Sequence, residues 1–232
     1  MSLLDLKKDL KQLADKKKSL VLQRFFKTGK GEYGEGDVFL GINVPQSRKL
    51  AIKFKYLSFS EISELLRSKI HEERLIALLI LVNNFNIGDG NTKKKIYNFY
   101  LNNTKYINNW DLVDQSADKI VGAYLINKPK DILLELARSK NLWERRIAIV
   151  ATYQLIKNGH FDATLKISEL LLQDKHDLIQ KAVGWMLREA GKRDLKTEIQ
   201  FLNKYYKKMP RTMLRYAIEK FPEKTRKEYL RR

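Results

Sequence analysis

The sequence predicts an all-α protein built as a solenoid of helix pairs, and three observations carry that reading. Apolar residues recur at helical spacing through most of the chain. Alternating β-branched runs are few, and only four prolines interrupt the pattern. Similar helix starts return every 34 to 36 residues, a period that suits one helix pair per repeat.

Taken in order, the elements read as follows. "GKGEYG", Gly29 to Gly34, matches the letters of a dinucleotide fingerprint. That motif must follow a strand and open a helix. Here it runs into "EGDVFLGINVP" with acids that repel phosphate, so it reads as a flexible loop before a helix beginning near Pro45. "EISELLRSKI", "EERLIALLILV", "DILLELARSK", "WERRIAIVATYQLI", "ATLKISELLLQD" and "LIQKAVGWMLREAG" then carry helical stripes. Pro129, Pro210 and Pro222 stand where helices should begin, a position at which proline lacks only an N–H that no helix would use.

Superposing "HEERLIAL", "NNWDLVDQ", "LWERRIAI", "LIQKAVGW" and "TMLRYAIE" aligns Arg74, Trp110, Arg146, Lys181 and Arg215. Four of these positions are basic, which would line one surface with cations; Trp110 is the exception. The 232 residues are read as a single domain, residues 1–232, with room for a sizeable core.

Composition narrows the function. The absence of cysteine excludes disulfides, thiolate metal sites and cysteine nucleophiles. His71, His160 and His176 form no i, i+4 ligand pair, so no metal site is expected. No apolar run spans a membrane and no signal-peptide core precedes the chain, so a cytoplasmic protein is expected. A net charge of +19 exceeds what solubility needs and points to a polyanion, nucleic acid first.

Trp110 and Asp114 lie one helical turn apart and share a face. Either has an ordinary explanation, the indole as core and the carboxylate as a helix-start acid. Arg146 opens a helix that is apolar on most sides, so its guanidinium needs a carboxylate or a phosphate, and a structural pair with Asp114 would satisfy it. Trp185 follows Gly184, where another backbone or a ligand could approach closely. Together, two indoles, a carboxylate and an arginine at equivalent repeat ends suit a cationic planar ligand on a phosphate chain. Indole faces attract cations, arginine holds phosphate, and a carboxylate stabilises positive charge developing at a sugar carbon.

At these residues the sequence resembles a known family. "NNWDLVD", "WERRIAI" and "IQKAVGWMLRE", with "FLGINVPQSRKLA" upstream, look like the AlkD-type DNA alkylation repair glycosylases over roughly residues 20 to 220. The resemblance implies a HEAT-like repeat fold and hydrolysis of the N-glycosidic bond of N3- and N7-alkylated purines, without cofactor or metal. It places the catalytic carboxylate on Asp114, the lesion-facing indoles on Trp110 and Trp185, and the active-site arginine on Arg146. Expected DNA contacts are Arg48, Arg74, Arg146, Lys181 and Arg188, on a monomer bound to double-stranded DNA containing alkylated purines. A basic array of helix pairs would also suit a non-catalytic binder of DNA or RNA structure.

Overall fold

A computed structural model describes residues 1–231. Among them the chain is helical, with a single isolated bridge between Val38 and Ile70 and no β-strand. Among the described residues no helix is long and apolar enough to cross a membrane. The chain divides into two compact units, Met1–Ser116 and Ala117–Arg232.

The first unit contains α1 (Leu3–Leu13), α2 (Lys16–Phe25), α3 (Val44–Lys53), α4 (Phe59–Leu66), α5 (His71–Ile87) and α6 (Gly90–Leu101). A 3₁₀ turn, Thr104–Tyr106, leads into α7 (Trp110–Ala117). Helix starts are written locally. Ser2, Asn43 and Ser58 close capping boxes with Asp5, Gln46 and Glu61, which satisfy orphan N–H groups at both ends of each box. Helix α5 is the centre of this unit. Every residue from His71 to Val82 is buried, because α3, α4 and α6 all pack on it. A helix enclosed in this way needs an apolar surface all round, which "RLIALLILV" supplies.

The second unit opens on a π-helical turn, Asp118–Gly122, and α8 (Ala123–Leu125). It continues with α9 (Asp131–Ala137), α10 (Leu142–Lys157), α11 (Asp162–Leu170) and α12 (Asp177–Gly191). The last helices are α13 (Leu195–Tyr205), α14 (Arg211–Ala217) and α15 (Glu223–Leu230). Helix α10 packs on α9, α11 and α12, and α12 on α11, α13 and α14, so α10, α12 and α14 form one row of a solenoid. Packing against α10 and α14 is tight at two glycines, Gly122 of the π-helical turn and Gly184 of α12. A Cβ at Gly122 would lie 2.1 Å from the Ala151 carbonyl oxygen, and one at Gly184 would lie 2.4 Å from that of Met213. Gly184 therefore admits a neighbouring backbone, that of α14.

The five superposed helix starts fall on α5, α7, α10, α12 and α14. Pro210 and Pro222 directly precede α14 and α15, and Pro129 stands two residues before α9. The Gly29–Gly34 loop follows a helix, not a strand, and its acids occupy its own amides. Glu32 accepts from the Gly29 N–H at 2.9 Å and Glu35 from that of Gly31 at 2.8 Å. No phosphate-binding turn is left there.

Candidate active site

Trp110 is the first residue of α7 and half-buried. Its position is set from outside its own helix. The Phe26 ring stacks on the indole at 5.1 Å between centroids, 15° from parallel. Phe39 stacks on Phe26 at 4.9 Å, and the His71 imidazole stacks on Phe39 at 4.4 Å. Phe25 meets the indole edge-on at 5.9 Å. Four rings thus form a column running from the buried histidine to Trp110. Beside it lies a largely apolar cleft of about 340 Å³, lined by Leu22, Phe25, Ile42 and Trp110 among others.

Behind the column sits a buried charge cluster that sequence reading missed. His71 Nε2 lies 2.8 Å from Asp111 Oδ2, and Nδ1 lies 3.2 Å from Asp37 Oδ2. The Arg74 guanidinium reaches the same Asp37 oxygen at 2.6 Å. Burial alone would lower the His71 pKa, but Asp111 and Asp37 outweigh it and the net shift is upward. Burial pushes the Asp37 carboxyl up, and His71 and Arg74 more than reverse that, leaving it below the usual range. Asn109, fully buried, donates to Asp37 at 3.3 Å and accepts the Trp110 N–H at 2.8 Å.

The wall carrying Phe39 is pinned by Glu72. Its carboxylate accepts the successive N–H groups of Leu40, Gly41 and Ile42 at 2.9–3.2 Å. Consecutive main-chain donors make a concavity suited to an anion, here filled by the protein's own side chain.

The remaining expected residues fall into different environments. Asp114 is half-buried, one turn along α7 from Trp110. In the second unit, Trp185 is half-buried with Tyr153 at 6.0 Å. Arg146 is 5% exposed and donates to the Leu178 carbonyl at 2.6 Å. Arg48 is exposed and reaches Gln115 at 3.0 Å. Lys181 pairs with Asp177 at 2.7 Å, and Arg188 pairs with Glu219.

Arg74 is a correction. Expected as a DNA contact, it is 4% exposed, with its guanidinium held by Asp37 and by the Ser68 carbonyl at 2.9 Å. Its charge neutralises the core and does not reach solvent. The expected row of surface cations at the repeat positions fails for the same reason at Arg74 and Arg146, both of which are buried.

Similar proteins place this site in context. No curated protein matches the sequence. A solved structure described as a predicted DNA alkylation repair enzyme from Enterococcus faecalis superposes with a TM-score of 0.69. It shares 16% identity and covers 90% of this chain and 97% of its own. The family model for DNA alkylation repair enzymes matches residues 6–221, nearly the whole chain. With the AlkD-like motifs at Trp110, Asp114, Arg146 and Trp185 inside that match, the chain belongs to the DNA alkylation repair enzyme family.

Proposed function

We propose that this protein is a DNA glycosylase that hydrolyses the N-glycosidic bond of N3- and N7-alkylated purines in double-stranded DNA. One observation carries the reading most. A half-buried indole, stacked at the end of a column of rings, precedes the half-buried Asp114 by one helical turn in a protein of net charge +19. An N-alkylated purine is already cationic and a good leaving group, so it needs no acid to protonate it. As the bond from the sugar anomeric carbon to the base breaks, its electron pair leaves with the base and neutralises the ring. Positive charge then develops on the sugar. The Asp114 carboxylate stabilises that charge and orients water, whose oxygen bonds to the anomeric carbon as its proton passes to solvent. Trp110 and Trp185 offer faces to the cationic lesion, and the exposed Arg48 serves the phosphate chain. The reading includes a monomeric, cytoplasmic protein acting as a single domain. Release of 7-methylguanine from methylated duplex by purified protein tests it directly; no release above the spontaneous rate would defeat it.

Two further results are expected. DNA affinity should fall steeply with salt, linearly in log–log form, with a slope of about −0.9 for each phosphate neutralised. A salt-independent affinity would contradict binding through the Lys and Arg excess. For the indoles, Trp110→Phe and Trp185→Phe should keep partial excision, and the alanine variants should lose about 0.5–2 kcal/mol of transition-state stabilisation. Should an alanine variant lower the melting temperature while releasing base normally, that indole serves only as packing.

A further inference from the structure

The activity proposed above needs the Trp110 indole in one place, and two independent routes tie it to His71. The first is the stack of rings, His71 on Phe39, Phe39 on Phe26 and Phe26 on Trp110. The second runs through the residues on either side of Trp110. Asp111 is held by His71 Nε2, and Asn109 by Asp37, which His71 Nδ1 also faces. The two routes close a ring around the first turn of α7. Asp111 depends on this contact, because its other oxygen, Oδ1, is buried without a hydrogen-bond partner.

We infer that His71, as an imidazolium, is the positioning residue for Trp110, fixing the angle and height at which the indole meets a lesion. Its charge state follows from geometry. Nε2 faces Asp111 at 2.8 Å and Nδ1 faces Asp37 at 3.2 Å, carboxylate oxygens that only accept. The Arg74 guanidinium lies farther from Nδ1, at 3.5 Å, and gives its hydrogen to the same Asp37 oxygen at 2.6 Å, so both ring nitrogens donate. The count of charges agrees. Asp37 and Asp111 balance Arg74 and a protonated His71, and a neutral ring would leave one carboxylate uncompensated in the core. The other carboxylate from α5 near the ring, Glu72, is already held by three amides and adds no competing acceptor. His71 touches no reacting atom in this scheme; it acts through Trp110. The role in catalysis rests on the glycosylase reading, whereas the mechanical link does not.

The test separates the two. In a ¹⁵N-labelled protein the three tryptophans give three indole signals. On raising the pH, the Trp110 signal should shift or broaden together with the loss of the His71 proton, and the Trp143 and Trp185 signals should not follow. A Trp110 signal indifferent to His71 titration overturns the inference, whether or not the protein excises bases. His71→Phe keeps a ring in the stack but strands Asp111, so it is paired with Asp111→Leu to remove the buried charge. This double variant should recover most of the melting temperature, yet show a displaced Trp110 signal. Its excision rate at saturating DNA should fall about ten- to a hundredfold with DNA affinity unchanged, as expected for a misplaced contact group. A folded double variant with the native Trp110 signal and full excision rate would also overturn it. If excision is absent from the wild-type protein while the titration link holds, the glycosylase reading falls and the positioning role stands.

Discussion

Asp114→Asn should fold, bind DNA and fail to excise. The substitution keeps the shape of the side chain and removes its charge, so under the proposed mechanism it removes the electrostatic stabilisation of the sugar as the base departs. Removing one such stabiliser costs about 10²–10³ in rate. DNA binding should hold or tighten, because the protein carries one negative charge fewer to repel phosphate. A purely structural carboxylate makes the opposite forecast. If Asp114 is one half of a buried structural ion pair, breaking that pair should destabilise the fold by about 3–5 kcal/mol. Melting temperature and single-turnover release of 7-methylguanine, measured on one preparation, distinguish the cases. A stable variant with full excision rate would remove Asp114 from the mechanism.

Local signals made the helices legible. Apolar spacing found α5, α10 and α12, the prolines marked the starts of α14 and α15, and the 34–36-residue period ran through the second helix of successive pairs. Trp110 stood out because an indole replaced a cation at a repeated position. Its supports could not be found in the same way. Asp37 lies 34 residues before His71, and Asp111 lies 40 after it. Their partnership is a product of packing, and no periodicity records it. The error at Arg74 has the same origin. A basic residue at a helix start reads as a surface charge until Asp37, from a loop read as flexible, is brought against it. The aromatic column was equally hidden, since Phe26 and Phe39 flank that loop and no helical stripe contains both. The catalytic candidates were therefore visible, and the scaffold that aims one of them was not.

That scaffold predicts a second large effect, at a residue with no part in the chemistry. Glu72→Ala should destabilise the protein by about 3–5 kcal/mol and reduce excision with it. The Glu72 side chain is 1% exposed, and its Oε1 accepts from Gly41 at 2.9 Å, Leu40 at 3.0 Å and Ile42 at 3.2 Å. Alanine would leave three donors unpaired in the interior, each costing about 1–3 kcal/mol, with partial relief as the segment relaxes. The segment has little room to relax. Gly41 has φ +88°, and a Cβ there would lie 2.2 Å from the Asp15 carbonyl oxygen, so the turn is held both by its own conformation and by its contact with the start of α2. Movement of this turn carries Phe39 out of the column and loosens Trp110. Glu72→Gln is the informative control. An amide oxygen in the place of Oε1 can still accept from Gly41 and Ile42, while the amide NH2 in the place of Oε2 faces the Leu40 N–H, donor against donor, where the carboxylate oxygen accepted at 3.0 Å. Its cost should be about 1–2 kcal/mol, from the weaker neutral acceptor and the disturbed Leu40 contact, and so below that of alanine. Denaturant unfolding of the two variants measures that separation. Equal losses for Gln and Ala would mean that the charge, and not the three hydrogen bonds, holds the wall in place.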